Sequence, residues 1–305
     1  MGFPKMKKLL PIFFVGLLLL TGLFFFSRPP VLIVTDSSFN IIYGQFRMRL
    51  RQAELLFRLR RRVLAVMVSD QAGPEQIAIA LRQKSVQPYA VLFPYRYAAG
   101  AKRYFEENPL VPMLVLQGRV VPPVQAADEP GPRVIRTDTN LDYYRAGRLS
   151  TALMDGPEGG ILLYHELGLS QADRDAFMEG LKAGGFTRNP IFLNVNSDYA
   201  AWQNIACTVI SGEASRFFEK NLKLPVILFS WVDPRMTPGG VKALFDDSPW
   251  ALAEQAVKLL ESGGEGEALA SEIIFPGGHI ENKALEKSLR ALSKESLIGK
   301  NGEDL

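Results

Sequence analysis

One cysteine, Cys207, and two histidines, His165 and His279, are all that 305 residues contain of those types. A lone cysteine excludes an internal disulfide and a multi-thiolate zinc site, and two histidines leave little capacity for a metal. The chain also lacks a Gly-x-x-x-x-Gly-Lys phosphate loop, a Gly-x-Gly-x-x-Gly fingerprint and a His-Glu-x-x-His pair. No cofactor is therefore expected. The net charge of +3, from 35 basic against 32 acidic residues, is too small a surplus to argue for nucleic acid. With 47% hydrophobic and 22% charged residues, the composition is that of a globular protein. The length exceeds the roughly 100 to 200 residues of one domain and leaves room for two.

Charge and hydropathy are uneven along the chain. Lys5, Lys7 and Lys8 precede an apolar run from Leu9 to Phe26, 18 residues without a charge. At about 1.5 Å per residue this meets the lower limit for a spanning helix and exceeds the usual signal-peptide core of about 7 to 15 residues. Neither a small-x-small cleavage site nor a lipid-attachment cysteine follows it, so residues 1–30 read as an uncleaved signal anchor. The three lysines outweigh Arg28 on the far side, which places residues 31 onward outside the cytoplasm, in the periplasm, whereas counting the arginines from Arg47 onward gives the reverse orientation, with the globular part in the cytoplasm. Seven arginines between Arg47 and Arg62, with Glu54 the one acid among them, read as a solvated helix face beside a membrane, worth about 1 kcal/mol per basic residue against anionic headgroups.

From residue 31, short apolar runs alternate with amphipathic stretches, the pattern of parallel sheets covered by helices. Strands are expected at 31–34, 63–68, 89–93 and 113–116, with helices at 41–61, from Pro74 onward and at 98–107. Residues 118–133, with four prolines, form a surface connection. A second series opens at Val134–Arg136, with Asp138 capping a helix. Strands follow at 161–164, 191–195, 207–210, 226–229, 241–245 and 272–275, with helices at 173–184, 198–205, 213–222 and 250–260. Two doubly wound parallel-sheet lobes sharing a multi-strand hinge result, the first of residues 31–137 and 235–262, the second of 138–234 and 263–285, with 286–305 as a tail. Ligands of such sheets sit at the carboxyl ends of the strands.

With those segments placed, the chain resembles the type 1 periplasmic binding proteins, the superfamily that holds sugar- and nucleoside-binding importer components and the lactose-repressor ligand domain. The likeness spans residues 31–280. It is carried by Asp36-Ser37-Ser38-Phe39, Val111 to Val115, Asp138-Thr139-Asn140 with Gly147, Phe177 to Leu181, Pro225 to Phe229 before Asp233, and Val241 to Pro249. The chain departs from the sugar binders where Gln117, Gly118 and Arg119 replace an acid and arginine after the fourth strand. It departs again at Arg174, three residues before Phe177 where they carry an arginine four before, and at Asp246-Asp247, where many members have glutamine. The spacing of Phe177, Gly180 and Gly184 is closer to the nucleoside-binding branch.

The resemblance implies a cleft between lobes and a small polar ligand. Ser37, Ser38 and Phe39 either touch that ligand or cap the next helix. Asp70 either accepts ligand hydroxyls or caps a helix, and Tyr95 and Gln117 end the next two strands. From the second lobe come His165, Glu166, Arg174, Trp231 and Asp233, and Asp246 is added from residues 235–262 of the first. An arginine and a carboxylate suit a hydroxylated ligand, while Arg174 fits a surface ion pair as well and His165 a plain strand end. The expected partners are an importer permease or a membrane sensor subunit, and no enzyme is expected. Two rivals stand. One is a serine hydrolase using Gly168-Leu169-Ser170-Gln171-Ala172 as an imperfect nucleophile elbow, with His279 downstream. The other is a relic of the binding fold that engages a protein partner.

Overall fold

The computed structural model describes residues 27–119, 131–154, 159–166, 168–194, 205–211, 224–263, 268–280 and 282–292. Two six-stranded sheets form its centre. The first contains β1 (Val31–Asp36), β2 (Val63–Val68), β3 (Ala90–Pro94), β4 (Met113–Leu116), β5 (Arg133–Thr137) and β11 (Ala268–Leu269), in the order β11-β5-β4-β3-β1-β2. The second contains β6 (Gly160–His165), β7 (Ile191–Asn194), β8 (Ile205–Ser211), β9 (Val226–Phe229), β10 (Val241–Asp246) and β12 (Glu272–Ile274), in the order β12-β10-β9-β8-β6-β7. Pairing is parallel except for β12, which runs antiparallel to β10.

Unbroken apolar strands such as Val31-Leu32-Ile33-Val34, buried on both faces, require helices on both sides of the sheet. In the first lobe α1 (Ser37–Tyr43), α2 (Gln45–Leu59) and α7 (Pro249–Glu261) cover one face, where Leu55, Leu59, Trp250 and Val257 pack on Val31, Ile33 and Leu92. On the other face, α3 (Pro74–Arg82) and α4 (Ala98–Glu107) bring Ile77, Leu81, Ala101 and Tyr104 against Leu32, Val34 and Phe93. In the second lobe α5 (Thr139–Ala152), α6 (Gln171–Ala183) and α8 (Lys283–Leu292) bury Leu149, Phe177 and Leu289 against Ile161, Leu163 and Val209. Gly147 and Gly180 let α5 and α6 touch backbone to backbone, since an added Cβ would stand 2.5 Å from the Phe177 carbonyl or 2.1 Å from that of Tyr144.

Four expectations change. The single helix over 41–61 is two, beginning at Ser37 and broken at Gly44, whose φ of 89° belongs to the left-handed half of the map. The lobe boundary at 234–235 moves to 247–248, because β10 pairs with β9 in the second sheet. The chain returns to the first sheet as β11, unforeseen because it is two residues long, and leaves it again at 270–271. Of the expected tail, residues 286–292 lie within α8, whose Leu289 is in the second lobe's core, and 293–305 lie outside the described residues. The apolar run at 9–26, most of the proline-rich connection and the expected helices at 198–205 and 213–222 lie outside the described residues, except that Ile205 opens β8. Among the described residues no helix is long and apolar enough to cross a membrane.

Candidate functional site

Three crossings join the lobes, at Asp138, at Asp247–Ser248 and at Ala270–Ser271, and one buried network ties them together. Arg119, just past β4, pairs with Asp142 of α5 at 2.5 Å and bonds Ser271, while its backbone N–H donates to Asp247 at 3.2 Å. Thr137, at the end of β5, donates to the same Asp247 oxygen at 3.1 Å, and the Ser271 backbone N–H donates to Asp142 at 3.1 Å. The guanidinium also lies over the Phe229 ring, 4.4 Å from its centre. Sequence reasoning saw Arg119 as a displaced ligand residue. The structure places it at the pivot with Asp142, Asp247 and Ser271, a role that only three-dimensional proximity could reveal.

Away from the hinge, the carboxyl ends of β1 to β3 carry polar groups on the first lobe. Asp36 accepts from the Phe39 backbone N–H as the cap of α1, from the Tyr97 hydroxyl at 2.8 Å and from Arg96 at 2.9 Å. Burial, and then the Asp36 carboxylate, push the Tyr97 phenol up to about 12. Asp70 accepts from both serines, at 2.7 Å from Ser37 Oγ and 2.5 Å from Ser38 Oγ, and these bonds hold its carboxyl down at about 2. The helix cap is therefore Asp36 and not a serine. Tyr95 sits in a 3₁₀ turn, half-buried against the α3–α4 cluster. Gln117 is buried, its N–H bonded to the Ile135 carbonyl at 2.9 Å.

On the second lobe His165 ends β6 level with Ser211 of β8, and Ser211 accepts from the Tyr143 hydroxyl at 2.9 Å. Burial, then Arg174, lower the pKa of His165, and its buried Nδ1 has no hydrogen-bond partner among the described residues. Arg174 lies over Phe192, 4.4 Å from the ring centre, a stacking contact.

Trp231, Asp233 and Asp246 reach across to the first lobe. Trp231 meets Phe39 at 5.8 Å between ring centres, and Phe39 stacks on Tyr43 at 5.0 Å. The Asp233 backbone N–H donates to the Ile42 carbonyl at 2.7 Å, and its buried carboxylate lies against Gly44 and holds Arg235 at 2.7 Å. That arginine keeps the Asp233 pKa below the ordinary carboxylate range. Asp246, fully buried, pairs with Arg47, which also reaches the Trp231 and Val232 carbonyls at 3.4 Å. Phe39, Trp231, Asp233 and Asp246 thus gather at one seam, Ser37 and Asp70 form a second group, and His165 and Arg174 a third. Gly44 and Arg47 were not foreseen as seam residues. The glycine break within an otherwise helical pattern was the one available signal.

Residues that follow the carboxyl ends of strands in both sheets therefore meet at one seam, and three chain segments cross between the sheets. Comparison with solved structures decides what such an arrangement is. A solute-binding protein of an ABC transporter system from Conexibacter woesei superposes with a TM-score of 0.56 at 14% identity, over 88% of this chain and 95% of that one. The chain has the fold of the type 1 periplasmic binding proteins. A transcriptional activator of the comK gene from Bacillus halodurans gives 0.54 at 10% identity, over 87% and 95% of the two chains. A LacI transcriptional regulator from a Rhodococcus species gives 0.49 at 13%, over 81% and 97%. At these identities the likeness is one of fold. No protein-family model matches the sequence, and no relative is found among curated proteins.

Ser170 and His279, the pair the hydrolase rival requires, do not meet in this structure. Ser170 caps α6, accepting from the Asp173 N–H at 3.1 Å and donating to its carboxylate at 2.7 Å. His279 bonds the Val241 carbonyl, where β10 begins. Ser170 follows the carboxyl end of β6, so the two side chains lie toward opposite edges of one parallel sheet.

Proposed function

We propose that this chain is a membrane-tethered solute-binding protein that closes on a small neutral polar ligand, a sugar or a nucleoside, and presents the closed form to an importer permease or a membrane sensor subunit. The observation that supports this reading is the pair of parallel sheets whose carboxyl-end residues meet at one seam while three chain segments join the lobes. In that arrangement a ligand touching both lobes gains contacts on closure and shifts the population toward the closed form. Pairing of the charges argues for a neutral ligand. Asp36 is matched by Arg96 and Tyr97, Asp70 by two serines, Asp233 by Arg235 and Asp246 by Arg47. A charged amino acid would have to displace a partner, whereas the Nδ1 of His165, without a partner among the described residues, suits a hydroxyl or amide. The tether rests on the charge-free run from Leu9 to Phe26 and its lysine flank, which also supports the periplasmic side for the lobes.

A second reading, the binding-fold relic, is favoured by one observation: Trp231, Asp233 and Asp246 already have protein partners across the seam. Titration calorimetry of the full chain in detergent, with nucleosides, sugars and amino acids in turn, separates the readings. Saturable heat with a nucleoside or a sugar is expected. Saturation by an amino acid alone overturns the neutral ligand, and no saturation with any class favours the relic.

A further inference from the structure

The arginines between Arg47 and Arg62 do not form the single solvated face expected of them. Asp246 holds Arg47, Glu54 and Glu272 hold Arg51, Glu54 and Glu254 hold Arg58, and Glu261 lies 3.8 Å from Arg61. What α2 turns outward instead is apolar. Phe46 (56% exposed), Leu50 (55%) and Phe57 (68%), with the exposed Ala53 between them, fall within about 60° of one another at about 100° per residue. The buried stripe of Arg51, Leu55 and Leu59 lies diametrically opposite, toward the sheet. An outward helix face is ordinarily polar, and this one runs for about 16 Å at about 1.5 Å per residue within a single lobe. One of its edges carries Arg49 and Arg60, exposed and with no acid paired to them among the described residues. The other carries Glu54, whose carboxylate is taken up by Arg51 and Arg58 at 2.7 Å each. Apolar side chains with a positive border are the composition of a helix that lies in the plane of an anionic bilayer surface.

The place of this face in the lobe fits that occupant. α2 joins the parallel neighbours β1 and β2, so it runs back from the carboxyl edge of the sheet and brings Phe57 and Arg60 to the amino edge. The chain arrives at the same edge. The Val31 N–H donates to the Arg62 carbonyl at 2.9 Å, and the Tyr89 N–H to that of Pro30 at 2.8 Å. The charge-free run ends at Phe26, and residues 27–30 span at most about 13 Å at about 3.3 Å each. We infer that the Phe46, Leu50, Ala53 and Phe57 face of α2 lies in the headgroup layer of an anionic bilayer, with Arg49 and Arg60 on lipid phosphates, so that the first lobe rests on the membrane by its side. The nearness of a bilayer rests on the proposed tether; the composition of the face does not.

The test is fluorescence of the full chain carrying a nitrobenzoxadiazole label in Leu50→Cys or Phe57→Cys. The chain is reconstituted in vesicles of phosphatidylcholine and phosphatidylglycerol that include lipids with a nitroxide quencher on the acyl chain. Cys207 is buried, and the chain without an added cysteine gives the background. Ile79→Cys, on α3 across the first sheet, is the reference. Quenching at least twofold greater in Leu50→Cys and Phe57→Cys than in Ile79→Cys is expected. It should fall at least twofold in phosphatidylcholine alone and when Arg49→Gln and Arg60→Gln are added. Quenching no greater than the reference, as when a second copy or another protein covers the face, or quenching undiminished without phosphatidylglycerol, would overturn the inference. Alkaline carbonate extraction of the same vesicles reports on the tether separately. A chain that resists extraction without quenching at these two positions sinks the surface and leaves the tether, and quenching in a chain that carbonate strips away does the reverse.

Discussion

Asp70 is the residue whose chemistry departs furthest from its sequence context. An exposed aspartate after a strand reads equally as a ligand group or a cap, yet two serines thirty-odd positions away converge on it and lower its pKa to about 2 from an ordinary 3.8. Because the folded value lies below the unfolded one, the contribution of this tether is complete above about pH 4 and disappears as the pH falls toward 2. Carbon-detected NMR titration should give a midpoint near 2 that moves up toward 3.8 in Ser38→Ala. Cys207 makes the opposite case. Full burial pushes its thiol up to about 12, so it should resist thiol reagents at pH 8 until denaturant opens the second lobe. Ser170→Ala should cost about 1 kcal/mol of stability through the lost cap of α6, measured by urea unfolding, and should leave no ester hydrolysis to lose.

At the scale of elements, what could be foreseen followed from periodicity. Residues 63–68, 98–107 and 113–116 carry unambiguous apolar patterns and form β2, α4 and β4 with those same bounds. The break in the first long helix was hidden, because Gly44 interrupts a sequence that keeps its helical spacing on both sides, and only the approach of Asp233 explains the turn there. The short β11 has too few residues to show any period. Gly180 gives a test in which two effects oppose. Glycine to alanine in an open helix should stabilise by up to about 1 kcal/mol. Here the new methyl would meet the Tyr144 carbonyl, and Gly180→Ala should instead destabilise by about 1 to 3 kcal/mol, read from the urea midpoint.

For the whole molecule, two lobes and a hinge were legible from the alternation of strands and helices, but the hinge's contents were not. Arg119, Asp142, Asp247 and Ser271 are separated by up to 152 positions and share no pattern in sequence. Removing the cation strands buried carboxylates, so Arg119→Met should cost about 3 to 5 kcal/mol in denaturant unfolding. The candidate site was legible only in part. Phe39, Trp231, Asp233 and Asp246 do converge, but at a seam with partners already in place, and among the described residues the Nδ1 of His165 has none. Solute capture by the closed lobes is most directly tested by mass spectrometry of the small molecules released when the purified full chain is denatured. One neutral, hydroxylated compound, close to one per chain and reduced at least tenfold in His165→Ala, is the predicted result. A stoichiometric charged amino acid, or no bound compound together with no thermal stabilisation by any sugar or nucleoside, would contradict it.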